Sequence, residues 1–458
     1  MKRLLGFIGI TALTTGITLF FSRYGVDPHH DGIFLKPAVD MLHGQRLFTD
    51  SFSIYGPLTS VVHYLSLRMF GEFLIIPKII TAITYGLIAG LLFLISSSLL
   101  PFGYALLSIL IWIAMAPYYE VGVTFYIWPS VFSLLFQLLS VLFLTYWIKN
   151  KKVLFLILGG LCAGITFWFR QPVGALLYAS VILFFIIRRK NIPFRTTLPF
   201  HISFFMTHLI ALVTMTCFGV LKDWFFQSVI FISWWHKAVS GNKIYPLFVL
   251  EKLFPLSFNA ISIWVVLPAS AFYVLWKKIK KPELILLALV SLASWAQYYP
   301  MSDIHHNYWA ATPLFPLIIA VGYYQSTNSK KRLLIMLFIC ILFFPDCYNR
   351  LRMARKKVMA SYVSIQHPSL LKGMLVEKSK YEEIQTIEKK IQEYEKKNPT
   401  GLVITNGQRA LYPLFAKNKT NCHPFTSNWG WDVYNHRFYL EYIKTIEACR
   451  RAGALILK

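Results

Sequence analysis

The chain has 458 residues, with 46 Lys and Arg against 20 Asp and Glu, a formal net charge of +26. Hydrophobic residues make up 56% and charged residues 14%, whereas an ordinary soluble domain carries roughly 25% charged residues. This balance excludes a water-soluble enzyme and a disordered chain alike, and long apolar runs without two-residue alternation exclude a β-barrel. The positive charge lies in short clusters between apolar runs, with no groove-reading module, so no nucleic-acid partner is expected.

Apolar runs at 4–22, 73–98, 103–117, 127–148, 153–169, 172–187, 199–220, 258–276, 283–299, 309–324 and 333–346 predict a polytopic α-helical membrane protein with about eleven transmembrane helices. Basic clusters test that count. Lys149/Lys151/Lys152, Arg188/Arg189/Lys190/Arg195, Lys277/Lys278/Lys280/Lys281 and Lys330/Lys331/Arg332 all fall on the side of Lys2 and Arg3, the inside by the positive-inside rule. Of the ten acidic residues in 1–345, all but Glu283 fall outside, so chemistry is expected on the extracytoplasmic face. The first span is followed by a poor cleavage site, Ser22-Arg23-Tyr24, and reads as uncleaved.

Two outer segments are long. Residues 23–72 form a first loop with its own helical pattern, and residues 221–257 form a Trp- and Phe-rich loop suited to the membrane interface. Residues 346–458 change character. Tyr381, Ile384, Ile387, Ile391 and Tyr394 recur at helical spacing among Glu and Lys, and a strand at 402–405, helices near 408–416 and 433–450 and a strand at 454–457 follow. The expected organisation is a spanning module, 1–345, and a C-terminal soluble α/β domain, 346–458, outside the membrane. Cys422 and Cys449 either pair in an oxidising compartment or stay free, and no CxxC motif supports a metal knuckle.

The first outer loop carries the sharpest motif, Asp27-Pro28-His29-His30-Asp31-Gly32, followed by a short helix with Phe34, Ala38, Val39 and Leu42 on one side. Gly44, Phe48, Asp50 and Tyr55-Gly56-Pro57-Leu58 come next. A carboxylate here could act as a general base or simply cap the helix at 33–43. Arg170-Gln171-Pro172 sits at the outer end of the fifth span, as an anion contact or an interfacial anchor. Asp303-Ile304-His305-His306-Asn307-Tyr308 precedes the tenth span and reads as a phosphate or sugar contact or as an interfacial cluster. Glu120 stands in the short second outer loop, where oxygen and nitrogen ligands for a divalent metal could gather with Asp31, His29 and His30. Trp429-Gly430-Trp431-Asp432 reads as a sugar platform or as core, and the basic run Arg350–Lys357 as a contact for lipid headgroups.

The order of these landmarks resembles the class C (GT-C) glycosyltransferase superfamily. It is most similar to the branch of protein O-mannosyltransferases, the lipid A aminoarabinose transferase and rhizobial lipopolysaccharide sugar transferases. The resemblance covers most of the chain as architecture and is sharp over 27–58. It implies a sugar donor linked to polyprenyl phosphate and an acceptor that is a glycolipid, polysaccharide or protein. Transfer would invert the anomeric centre, with Asp31 as base. Asp27, His29, His30, Asp50 and Glu120 would shape the site, and Arg170, Gln171, His305, His306 and Tyr308 would meet the donor phosphate. No cofactor is required by the resemblance, and a divalent metal is open. Many relatives have Glu where this chain has Gly32, so the second acidic role is unfilled or moved to Asp27 or Asp50. The expected location is a bacterial inner membrane. The alternatives are a transporter or lipid flippase, a polysaccharide polymerase or O-antigen ligase, and a scaffold in which Gly32 marks a lost site.

Overall fold

The computed structural model describes residues 1–233, 263–277, 279, 281–298, 304–405, 409–421, 444 and 446–457. Helix α1 (Lys2–Ser22) runs along α4 (Ile75–Leu99). Small residues make that approach possible: a Cβ at Gly86 would stand 1.9 Å from Thr15 Oγ1, and one at Gly90 would stand 2.3 Å from Thr11 Oγ1. Thr18 Oγ1 donates across the seam to the Ala82 carbonyl at 2.9 Å. Between these two helices the chain forms α2 (His30–Leu42) and α3 (Pro57–Phe70).

Helices α5 (Phe102–Ala114), α6 (Pro129–Asn150), α7 (Val153–Phe169), α8 (Gln171–Ile187) and α9 (Phe194–Cys217) follow. A short helix, α10 (Leu221–Phe225), continues as a π-turn over Phe226–Phe231. Beyond it come α11 (Ile263–Trp276), α12 (Pro282–Trp295), α13 (Ile304–Ala311), α14 (Leu314–Tyr324) and α15 (Ser329–Met359). Among the described residues, α1, α4, α6, α9 and α15 are long and apolar enough to cross a membrane, and six shorter apolar helices accompany them. The expected run at 309–324 is divided between α13 and α14, with Thr312 and Pro313 at the break.

Helix α15 runs unbroken through 345/346, where the sequence pattern changes. Past it, β1 (Val363–Ser364) pairs antiparallel with β2 (Leu375–Val376), with Val363 opposite Val376. Helix α16 (Lys378–Lys397) buries Ile384 and Ile391, as its spacing predicts. β3 (Val403–Thr405) pairs in parallel with β4 (Leu455–Leu457). Where a helix is expected near 408–416, the described residues form a 3-10 turn over Tyr412–Phe415. Cys449 is disulfide-bonded, while Cys162, Cys217, Cys340 and Cys347 are free. Cys422, Trp234, Trp235, Asp303 and the Trp429–Asp432 motif lie outside the described residues.

Candidate active site

The start of α2 is organised by two carboxylates. Asp27 Oδ1 accepts the backbone amides of His29 (2.9 Å) and His30 (3.1 Å), satisfying donors that a helix start leaves open. Its Oδ2 lies 2.6 Å from His30 Nδ1 and accepts the Tyr126 hydroxyl at 3.2 Å. Burial pushes the Asp27 pKa up, but the His30 ring and the two amides outweigh it and hold the group below the ordinary carboxylate range. The capping role that the sequence allows for Asp31 is therefore taken by Asp27.

Asp31 does something different. It stands in the first turn of α2, wholly buried, with Oδ2 3.0 Å from Lys78 Nζ and accepting the Asp27 amide at 3.0 Å. Its Oδ1 has no hydrogen-bond partner among the described residues. Burial raises the Asp31 pKa above the ordinary carboxylate value, against the pull of the Lys78 charge. Lys78 is also wholly buried, and it donates to the Gly25 carbonyl at 3.3 Å. Sequence reasoning did not single it out. Its signal was there: a lysine inside the apolar run 73–98 needs a partner.

The two histidine pairs converge on the stretch ahead of α6. Tyr126 and Trp128 stand 4.7 and 5.2 Å, ring to ring, from His30. Tyr126 also meets His305 at 4.5 Å, and Trp128 meets His306 at 5.5 Å. Two residues on, Ser130 Oγ accepts from Arg170 Nη1. Arg170 ends α7 and precedes Gln171 and Pro172 at the start of α8, so a break between two helices delivers the guanidinium. Residues 126–130 thus join α2, α13 and the α7–α8 break. The sequence reading took most of this stretch as the start of a span and missed the role of Tyr126, Trp128 and Ser130.

Other expected residues go elsewhere. The Asp50 carboxylate pairs with Arg46, accepting its amide at 2.8 Å. Glu120 pairs with Arg350 at 2.9 Å. Tyr308 is buried in the bundle, stacked on Trp112 with its hydroxyl 3.1 Å from the Trp112 carbonyl. Gln171 Nε2 is buried without an acceptor among the described residues. In the basic run, Arg350 and Lys357 point inward, seven residues apart, while Arg352, Arg355 and Lys356 are exposed. Lys357 Nζ donates to the carbonyls of Tyr118 (2.9 Å), Glu120 (3.3 Å) and Val123 (2.5 Å). These two side chains brace the second outer loop instead of facing headgroups. Among the described residues, no three His, Cys, Asp or Glu side chains converge to hold a metal ion.

The C-terminal segment closes over α2. Leu411 N donates to the Pro28 carbonyl at 3.0 Å, and a Cβ at Gly32 would stand 2.3 Å from that same nitrogen. Farther along α2, buried Lys36 and Asp40 pair at 2.9 Å. Asn421 bridges them, accepting from Lys36 at 2.5 Å and donating to Asp40 at 3.0 Å. The first described turns after α9 pack on the segment between α2 and α3 and on the end of α7. Asp223 accepts from Thr49 at 2.9 Å, Gln227 accepts the Ser53 amide at 3.0 Å, and the Trp224 ring lies 5.1 Å from Trp168.

No protein-family model and no curated protein matches the sequence. Solved structures do. The oligosaccharyltransferase of Archaeoglobus fulgidus, in complex with Zn and sulfate, aligns at a TM-score of 0.54 with 11% identity, covering 91% of this chain and 62% of its own. The archaeal oligosaccharyltransferase AglB from the same organism, with an inhibitory peptide and dolichol-phosphate, aligns at 0.53 with 10% identity, covering 92% and 65%. ArnT from Cupriavidus metallidurans, bound to undecaprenyl phosphate, aligns at 0.48 with 12% identity, covering 78% and 70%. The chain thus spans less than two thirds of the archaeal enzymes' length. The chain shares its fold with these archaeal oligosaccharyltransferases.

Proposed function

We propose that the chain is an inverting glycosyltransferase that moves one sugar from a polyprenyl-phosphate donor to an acceptor hydroxyl at the extracytoplasmic face of a membrane. The observation that carries the reading is Asp31. One carboxylate oxygen is held by Lys78 and the Asp27 amide, and the other is buried without a partner among the described residues. A carboxylate fixed through one oxygen has the other free to take a proton, and a raised pKa brings its basicity closer to the working pH. The acceptor oxygen bonds to the anomeric carbon from the face opposite the phosphate, and its proton passes to Asp31. The anomeric carbon–oxygen bond breaks, and the electron pair leaves with polyprenyl phosphate.

Arg170 is suited to the departing phosphate, because a guanidinium offers parallel donors and keeps its charge. His305 and His306 reach the same stretch through Tyr126 and Trp128 and would line the donor side. The C-terminal segment and the loop from 221 onward would cover the cleft and select the acceptor. No metal is required in this reading. The membrane is a bacterial inner membrane, with residues beyond α15 outside.

The test is transfer from a panel of labelled polyprenyl-phosphate sugars in membranes holding matched amounts of folded wild type and Asp31→Asn. Turnover by the wild type and its collapse in the variant support the reading and identify the donor. Retained turnover in Asp31→Asn rejects Asp31 as the base.

A further inference from the structure

Helix α15 keeps two distinct faces along its whole length. Met336, Phe343, Arg350 and Lys357 recur every seven residues, and all four are buried. Leu334, Ile341 and Tyr348 recur at the same interval on the opposite face, and all three are exposed. The next step along that exposed face is Arg355, and the exposed row beside it, Phe338 and Pro345, leads to Arg352. One continuous face therefore changes from apolar to basic without changing direction.

The length of the helix says where the change falls. It has 31 residues, and at 1.5 Å per residue it is about 46 Å long, whereas the hydrocarbon core of a bilayer is about 30 Å thick. Lys330, Lys331 and Arg332 mark one boundary of that core. About 20 helical residues cross it, which brings Arg352 to the other boundary. Tyr348, one turn earlier on the same side of the helix, fits the aromatic belt of an interface. Between Arg332 and Arg352 the charged residues are Asp346, half-buried, and Arg350, buried.

Beyond that boundary Arg352, Arg355 and Lys356 are exposed, and their side chains have no ion-pair or hydrogen-bond partner among the described residues. Residues 347–359 contain no acid. Exposed Leu351, Val358 and Met359 stand among the basic side chains. Water alone gives no reason for exposing Leu351 and Met359, and hydrocarbon would reject the arginines. The headgroup layer suits both, because long basic side chains lay their stems on apolar surface there and hold their charges at phosphate level. Arg352 and Arg355 are three residues apart, so their Cβ atoms are about 5–6 Å from each other and two guanidiniums can bracket one phosphate.

We propose that Arg352 and Arg355, flanked by Lys356, form a binding strip for the phosphate of an anionic phospholipid in the leaflet opposite Lys330. Charge and place select this occupant: three cations without an acid, at headgroup depth, continuing the lipid-facing side of a spanning helix. The strip is separate from Arg350 and Lys357, which use the far side of α15 to hold the second outer loop. It does not depend on the transfer reaction proposed above.

The experiment places the full chain in phosphatidylcholine nanodiscs doped with photoactivatable phosphatidylglycerol, phosphatidylcholine or undecaprenyl phosphate. Cross-linked peptides are mapped by mass spectrometry for the wild type, Arg352→Gln, Arg355→Gln and the double variant, with circular dichroism as the check on folding. The expected result is labelling of residues 348–359 by phosphatidylglycerol in preference to phosphatidylcholine. Each single variant should lower that preference about fivefold, the weight of one basic side chain near an anionic surface, and the double variant should lower it further. Added salt should weaken it too. Lys330→Gln, at the other end of α15, should leave it unchanged. Equal labelling by the two phospholipids overturns the proposal, as does a preference that survives the double variant. Stronger labelling by undecaprenyl phosphate than by phosphatidylglycerol also overturns it, because the strip would then serve the sugar-carrier lipid. Should the double variant fail to fold, the two single variants carry the same test.

Discussion

Gly32 and Leu411 meet backbone to backbone: a Cβ on Gly32 would stand 2.3 Å from the Leu411 nitrogen and 2.7 Å from the Ala410 carbonyl carbon. Both neighbours are main chain, so neither can swing aside. Gly32 is thus packed against the segment that covers α2, which is a physical reason for a glycine at this position. Gly32→Ala should lift residues 409–412 from α2, with an overpacking cost of about 1–3 kcal/mol. Limited proteolysis should then cut the C-terminal segment faster than in the wild type, and Gly32→Glu should do so more strongly. An unchanged digestion pattern in both variants would show that the cover does not depend on this contact.

The buried Asp31–Lys78 pair makes a second prediction, which separates chemistry from stability. If Asp31 is the base, as proposed, Asp31→Asn should lower kcat by about 10²–10⁴. Lys78→Met leaves a wholly buried carboxylate without its cation and should destabilise the fold by about 3–5 kcal/mol. Combining the two removes both charges, so the double variant should unfold at a higher temperature than Lys78→Met alone. If the double variant is no more stable than Lys78→Met, the two charges are not energetically coupled.

The pH profile tests the same carboxylate. Burial raises the Asp31 pKa above its ordinary 3.8. A general base works only when deprotonated, so kcat/KM should fall as pH drops through that raised value, at a higher pH than an unperturbed aspartate would give. Asp27 has the opposite sign. Its pKa is depressed in the folded chain, so the stability it contributes is complete above 3.8 and is lost only as pH falls further, toward its lower folded value. Loss of activity should therefore precede loss of the α2 start as acid is added, with activity followed by transfer assays and folding by circular dichroism.

Lys357 and its near neighbour Arg355 offer a paired control. Lys357 is buried against three carbonyls of the second outer loop, whereas Arg355 is exposed on the opposite side of α15. Lys357→Met should leave those carbonyls short of a donor and destabilise the protein by about 1–3 kcal/mol. Arg355→Met should change stability by less than about 0.5 kcal/mol. Equal effects on thermal unfolding would mean that the carbonyl contacts carry no weight.

Much of the architecture was legible because the membrane imposes length and composition on every span. The runs at 4–22, 73–98 and 127–148 reappear as α1, α4 and α6 within a few residues. Tyr381, Ile384 and their helical repeat reappear as α16, since an amphipathic period survives without tertiary context. The motif at 27–32 was singled out in the sequence, and its residues do gather at the start of α2. Which carboxylate does what was not legible. Asp27 and Asp31 are four residues apart and alike in sequence. They diverge because one meets amides and an imidazole at the start of α2, while the other turns inward onto Lys78.

The sequence by itself determined that this chain is a helical membrane protein, since hydropathy and charge are properties of each residue and its neighbours. Only the tertiary structure decided the site. Lys78 lies 47 positions from Asp31, and Leu411 lies 379 from Gly32. Contacts across such separations arise from helix packing and leave no periodicity in the chain. Glu120 shows the converse: it looked available in sequence, and in the fold it pairs with Arg350, 230 positions away.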